Sequence, residues 1–230
     1  MVLKELIAFW HDDSPLKEIF KRFDEMIVIA KDMFKIATSY FSSKVEGETI
    51  YHQLIQMDSK LNTLQQVLRR DIVTHISVQG TADIVPCLLL ISLVKDVERI
   101  GDYCKNIDEI FRHAPYTVKD PLAPELKDMS LKIVTWFEQT KRAFDNCDKE
   151  LARKTREDAY FSEKECDKLV WALSEDNKGR NAVAAALMIR FFKRVIAHLG
   201  NICTSVVMPF DKLDYFEKPK GKPGELIEDE

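Results

Sequence analysis

Four oxygen-bearing side chains follow one another at helical spacing in the stretch VKDVERIGDYCKNIDEIF, residues 94–111. They are Glu98, Asp102, Asn106 and Glu109, separated by four, four and three positions. On an α-helix these spacings place all of them on one face, because residues three or four apart lie one turn above each other. Carboxylate oxygens are the ligands that hard divalent cations prefer, so this acidic row could bind a metal ion.

The same row is also typical of a solvated helix face. An apolar row lies almost diametrically opposite and consists of Val94, Val97, Ile100, Cys104, Ile107 and Phe111. Lys95 and Arg99 lie close enough to neutralise the carboxylates without a metal. Glu98 and Asp102 repel each other by only about 0.2–0.5 kcal/mol in an isolated helix, so the pattern alone leaves both interpretations open.

The composition is that of a globular protein with few, long elements. Of 230 residues, 46% are hydrophobic and 31% charged, and there are only seven glycines and eight prolines. The net charge of −4 predicts no nucleic-acid partner, since phosphate contacts need a basic surface. No apolar run approaches the length of a membrane span, and the start of the chain lacks the features of a signal peptide.

The cysteines indicate a reducing compartment. Five of them are spread along the chain without a CxxC pair: Cys87, Cys104, Cys147, Cys166 and Cys203. An odd, scattered set without zinc-ligand spacing predicts buried thiols, and hence a cytoplasmic protein.

Helical periodicity predicts an all-α fold. Six long helices are expected at about 14–43, 48–76, 83–113, 122–146, 148–175 and 181–207. The stretch 113–125 holds three prolines and no helical period, so it is the predicted linker between two tandem three-helix bundles. The expected domains are an N-terminal amphipathic segment at 1–13, bundle 1 at 14–113, a shorter bundle 2 at 122–216 and a disordered tail at 217–230.

A short internal repeat supports the tandem arrangement. ERIGDYCKNI, residues 98–107, aligns without gaps on KRVIAHLGNI, residues 193–202, which indicates duplication on the third helix of each bundle. In bundle 2, Lys193 takes the place of Glu98 and Ala197 that of Asp102. A lysine repels a divalent ion and an alanine offers no oxygen, so a metal is expected in bundle 1 only.

The stretch 94–110 resembles the signature helix of the PhoU family of phosphate-uptake regulators, whose pattern reads like DLERIGDHAxNIAE. The matching residues are Asp96, Glu98, Arg99, Ile100, Gly101, Asp102, Asn106, Ile107 and Glu109. The resemblance implies two tandem three-helix bundles and a metal motif that Glu98 and Asp102 supply. The further candidate ligands are Asp96, Asn106, Glu109 and Asp58, and the ion would be iron, manganese, zinc or magnesium. Asp24, Glu25, Asp32, Glu46 and Glu48 are other acids on adjacent helices.

The resemblance also implies a function. A PhoU-like chain is expected to be a non-enzymatic, cytoplasmic regulator, peripheral at the inner membrane, whose partners are a phosphate transporter and a sensor histidine kinase; a homodimer is plausible. Two alternatives stay open, an accessory protein of a cation-coupled phosphate permease and a metal-free helical adaptor. Genomic neighbourhood would separate an importer partner from a permease.

An enzyme is less well supported by the residues. Di-iron chemistry in a helical bundle uses a Glu-x-x-His motif on each of two helices, and none of the five histidines completes one. Neither a hydrolase triad nor a glycine-rich phosphate loop is recognisable. A metal-dependent enzyme would also need a closed site, whereas the acidic row lies opposite the apolar face.

Overall fold

Six long helices make up nearly all of the computed structural model, which describes residues 15–42, 47–114, 121–175 and 179–215. They are α1 (Pro15–Ala37), α2 (Gly47–Gln79), α3 (Ile84–His113), α4 (Ala123–Asp145), α5 (Lys149–Glu175) and α6 (Gly179–Val207). Two short 3₁₀ turns follow α1 and α6, at Ser39–Phe41 and Phe210–Lys212. The residues that the structure describes contain no strand, so the all-α prediction with six long helices is confirmed.

The domain boundaries stay predictions at both ends of the chain. The N-terminal segment 1–13 and the tail 217–230 lie outside the described residues. Within the described ranges, no helix is long and apolar enough to cross a membrane.

Each set of three consecutive helices packs as a bundle. Helices α1, α2 and α3 contact one another, and so do α4, α5 and α6. The turn after α1 stacks on the end of α3, where the rings of Tyr40 and Phe111 lie 4.4 Å apart. Helices α1 and α3 are therefore parallel, and α2 runs back between them. The hairpin of bundle 2 is shorter, as the sequence indicates, because α5 has 27 residues and α2 has 33.

The two bundles share one apolar core. They pack through α1 against α4 and through α3 against α6. Phe34 of α1 is buried between Phe137 of α4 and Phe192 of α6, with ring centroids 5.9 and 5.5 Å away. Phe23 and Phe144 make a similar contact at 5.1 Å. Since burying a phenylalanine stabilises a fold by roughly 1.5–3 kcal/mol, these contacts join the bundles into one body.

Equivalent residues of the internal repeat contact each other where the two bundles meet. Tyr103 and His198 occupy equivalent positions in the repeat, and their rings stack at 5.7 Å. Asp96, in the first half of α3, contacts Asn201 near the end of α6, so the two helices are antiparallel. A contact between equivalent residues of antiparallel helices is what an approximate two-fold relation between the bundles requires.

The cysteines are largely core residues, as predicted. Cys87, Cys104, Cys166 and Cys203 are buried, whereas Cys147 is only half-buried at the turn between α4 and α5. Burial raises the pKa of Cys166 to about 12. A thiol with so high a pKa carries almost no thiolate at neutral pH and is chemically inert.

Candidate functional site

Helix α3 positions the acidic motif at the centre of bundle 1. More than half of its residues are buried, because it packs against α1 and α2 on one side and α6 on the other. Gly101, within the motif, lets α2 approach closely: a Cβ added there would lie 2.6 Å from Leu61 Cδ2. The glycine of the motif therefore has a packing role, and it brings the acids of α2 near those of α3.

The structure separates the four side chains of the acidic row. Glu98 pairs with Lys95 one turn away, with 2.7 Å between Oε2 and Nζ. Asp102 pairs instead with Lys105 and, more loosely, with Arg99. The last two members of the row face a groove between α3 and α6. The row is consequently shared among several local partners and does not form one ligand set.

Lys105 connects the motif to α2. Its Nζ lies 2.9 Å from Asp58 Oδ1 and 3.1 Å from Asp102 Oδ1. Asp58 also accepts a 3.1 Å hydrogen bond from Asn62 Nδ2. Burial alone would lower the pKa of Lys105, but hydrogen bonds to the two aspartates and their charges outweigh it, and the pKa is raised. Lys105 is therefore a charged ammonium between two helices, a contact that the sequence analysis missed.

Asp96 has a different position from the other candidate ligands. It is 8% exposed and lies in the interface between the bundles. Its Oδ1 accepts hydrogen bonds from His198 Nδ1 at 2.6 Å and from Asn201 Nδ2 at 3.0 Å. A buried carboxylate needs such partners, because an unpaired one is costly to desolvate. Asp96 thus links α3 to α6, away from Asp58 and Asp102.

These contacts bear on whether the motif fits a metal ion. Within the described ranges, no three Asp, Glu, His or Cys side chains converge as ligands. The pair closest to that arrangement, Asp58 and Asp102, already has the ammonium of Lys105 bonded to both carboxylates. Of the acids named on adjacent helices, Asp24 pairs with Lys141, Glu25 with Lys60 and Glu48 with His52, while Glu46 lies outside the described residues. A metal at Glu98 and Asp102 stays a prediction.

Bundle 2 has a cation where bundle 1 has Glu98. Lys193 Nζ lies 2.5 Å from both carboxylate oxygens of Asp167 on α5. Near it, Gly200 leaves room for Arg156, whose Cδ would lie 2.9 Å from an added Cβ. Arg156 in turn bonds Glu163 at 3.1 Å. Bundle 2 therefore joins α5 to α6 through the ion pair of Lys193 with Asp167 and through the packing of Arg156 against Gly200.

A groove of about 430 Å³ runs between the end of α3 and the start of α6. Its lining is mostly apolar and includes Asn106, Glu109, Ile110, His113, Leu187 and Phe191. Leu187 is 47% exposed, so apolar surface remains open to solvent there. Asn106 and Glu109, two members of the acidic row, thus line a surface groove.

These features define the class of the protein: an all-helical chain of two fused three-helix bundles with an acidic motif on the third helix of the first. Residues 23–111 match the family model described as the PhoU domain. The resemblance of the motif to the PhoU family is thereby confirmed over residues 23–111.

Two curated relatives agree with the family match. Both are named phosphate-specific transport system accessory protein PhoU homolog, from two strains of Xylella fastidiosa, and both are 31% identical over 74 residues. The matched stretch covers 32% of this chain and 31% and 30% of the two relatives, or about a third of their length.

A solved structure extends the likeness to bundle 2. The crystal structure of PhoU from Pseudomonas aeruginosa matches 84% of this chain and 95% of its own chain, with a TM-score of 0.74 and 17% identity. At that identity the match establishes the fold, which bundle 2 therefore shares.

Proposed function

We propose that this chain is a non-enzymatic accessory protein of a phosphate-uptake system, acting by contact with a phosphate transporter at the inner face of the membrane. The observation that carries the proposal is the PhoU domain at residues 23–111, whose curated relatives are named as accessory proteins of phosphate-specific transport. A sensor histidine kinase is the second partner proposed. The fold is compatible with contact regulation, because six helices around a shared core present constant surfaces.

The pairing of the acids favours the metal-free form of this function. Asp58 and Asp102 both bond Lys105, and Glu98 bonds Lys95, so the motif is neutralised by side chains of its own bundle. The metal-dependent form has iron, manganese, zinc or magnesium at Glu98 and Asp102. Metal content per chain, measured by plasma mass spectrometry after purification without chelator, separates the two forms.

Deleting the gene in the native host tests whether the protein acts on a phosphate transporter. We expect deletion of the gene to alter uptake of radioactive phosphate or the expression of phosphate-responsive genes, and a plasmid copy to restore both. If both readouts stay unchanged at low and at high phosphate, the proposed function is wrong.

Photocrosslinking tests the contact itself. Leu187, in the groove, and Leu131, on α4, are both exposed leucines, at 47% and 57%. A photoreactive amino acid at either position leaves the core intact, so the two variants are matched. The groove is the first surface to probe because the acidic row ends there. A transporter subunit crosslinked at Leu187 and not at Leu131 supports contact through the groove, whereas equal labelling at both positions argues against it.

A further inference from the structure

The ammonium of Lys105 lies where a bridging cation would have to lie. Its two carboxylate partners come from different helices, Asp58 from α2 and Asp102 from α3. Their oxygens are 2.9 and 3.1 Å from the nitrogen. Those are hydrogen-bond distances for an ammonium, whereas a magnesium ion requires oxygens at about 2.0–2.1 Å. Each oxygen would have to move inward by roughly 0.8–1 Å to bind such an ion.

The local charges are already balanced. Glu98, Asp58 and Asp102 carry three negative charges, and three cations, Lys95, Arg99 and Lys105, lie within 4 Å of them. A divalent ion that entered the cluster would have to displace Lys105 or lie beside its charge. Displacing Lys105 would break both of its bonds to the aspartates. An ion beside Lys105 would be repelled strongly, because like charges lie a few ångströms apart where water is partly excluded.

Lysine–aspartate ion pairs also join other helices of this chain. Lys141 of α4 contacts Asp24 of α1 and Asp145 of its own helix, at 2.5 and 2.6 Å. Lys193 of α6 contacts Asp167 of α5. Lys105 and Lys141 thus each join carboxylates of two helices, within bundle 1 and between the bundles, and Lys193 pairs with one carboxylate across bundle 2.

We propose that Lys105 substitutes for a divalent cation in the carboxylate cluster of bundle 1. The ammonium neutralises Asp58 and Asp102 and couples α2 to α3, so bundle 1 needs no metal to hold the motif in place. The proposal concerns the chemistry of the cluster and deepens the metal-free form of the proposed function. It can fail while the transporter assignment stands, because its test measures ion binding in the isolated protein.

Manganese binding to the full chain tests whether Lys105 takes the place of a divalent cation. Titration with Mn²⁺, with the unbound ion followed by electron paramagnetic resonance, compares wild type with Lys105→Gln. Lys60→Gln is the matched control, because Lys60 is an exposed lysine of α2 that pairs with Glu25, so its removal changes the net charge equally. We expect Lys105→Gln to bind one Mn²⁺ per chain at least tenfold more tightly than wild type or Lys60→Gln. Adding Asp58→Asn and Asp102→Asn should abolish that gain.

The binding result has a definite contrary outcome. If Lys105→Gln binds Mn²⁺ no more tightly than wild type, whether both bind or neither does, Lys105 does not occupy a cation position. Circular dichroism of each variant establishes that the helices are retained.

Lysine acetylation of the wild-type chain supplies a test that needs no variant. Lys105, bonded to two carboxylates, should react more slowly with an acetylating reagent than Lys60, as read by mass spectrometry. Millimolar Mn²⁺ should leave that difference unchanged. If Mn²⁺ makes Lys105 as reactive as Lys60, the ion displaces the ammonium, and the proposal that Lys105 takes the place of a divalent cation is refuted.

Discussion

Replacing Gly101 by alanine tests the close approach of α2 to the motif helix. Two effects oppose each other. Alanine in a helix interior is favoured over glycine by about 1 kcal/mol, because glycine loses more backbone entropy on folding. The new Cβ would lie 2.6 Å from Leu61 Cδ2 and 3.6 Å from Met33 Sδ, and both neighbours are fully buried.

The clash should outweigh the helix preference. Overpacking in a well-packed core typically costs about 1–3 kcal/mol, so Gly101→Ala should lower the free energy of unfolding by a net amount of about 1 kcal/mol. Leu61→Ala alone should lower it by about 2–5 kcal/mol through the cavity it leaves. In the double variant the alanine methyl at 101 has room, and the helix preference is recovered. The loss of unfolding free energy in the double variant should therefore be smaller than the sum of the two single losses by at least about 1 kcal/mol.

Urea unfolding followed by circular dichroism measures the four members of this cycle. If Leu61 can rotate away from the new Cβ without cost, only the higher helix propensity of alanine affects stability. In that case Gly101→Ala would be more stable than wild type by about 1 kcal/mol, and the two substitutions would be additive. Either observation would refute the argument that the motif glycine is required for helix packing.

Three further substitutions test other contacts by the same urea assay. Asp96→Ala should lower the free energy of unfolding by about 2 kcal/mol, because it leaves the donors of His198 and Asn201 without their acceptor at the bundle interface; a loss below about 0.5 kcal/mol would contradict that role. Tyr40→Phe should cost about 1 kcal/mol, because the hydroxyl donates a 2.8 Å hydrogen bond to Asp108, and an unchanged midpoint would count against it. Burial raises the pKa of Asp145 in the folded protein, so its ionisation reduces stability as pH rises above the unfolded value near 3.9. The stability of Asp145→Asn relative to wild type should therefore increase from pH 3 to pH 7, and a constant or decreasing difference would show that ionised Asp145 is not penalised.

The fold could be predicted because its signals lie within each helix. Apolar residues at helical spacing, long segments without glycine and a proline-rich linker fix the number of helices and the approximate ends of each. The main difference is at the end of α1, which the sequence extends to about residue 43 and the structure ends at Ala37, before the 3₁₀ turn Ser39–Phe41. At the turn between α2 and α3 the helix continues to Gln79, and Gly80 adopts a positive φ of 76°. Serine, valine and glycine within residues 77–80 have low helix propensity, so the sequence placed this turn about three residues too early.

The contacts of the motif were harder to predict, because periodicity assigns a residue to a face but not to a neighbouring helix. Lys105 follows Asp102 by three positions, so their pairing was visible in the sequence and was overlooked in favour of Lys95 and Arg99. Its bond to Asp58 depends on the register of α2 against α3, which no local pattern records. Likewise, the partners of Asp96 lie more than a hundred residues away, on a helix whose direction follows only from the assembled fold.

The structure gives three matched residues of the motif an explanation that does not require a metal. Gly101 admits Leu61, Asp102 binds Lys105, and Asp96 joins the bundles. A match to the signature therefore identifies the helix and its packing, while metal binding depends on a further condition, that the carboxylates lack a cation of their own. On the proposal made above, Lys105 supplies that cation in bundle 1, while Lys193 pairs with Asp167 in bundle 2. If the manganese titration confirms that proposal, the charge of the residues beside the signature decides metal binding in this chain more than the signature itself does.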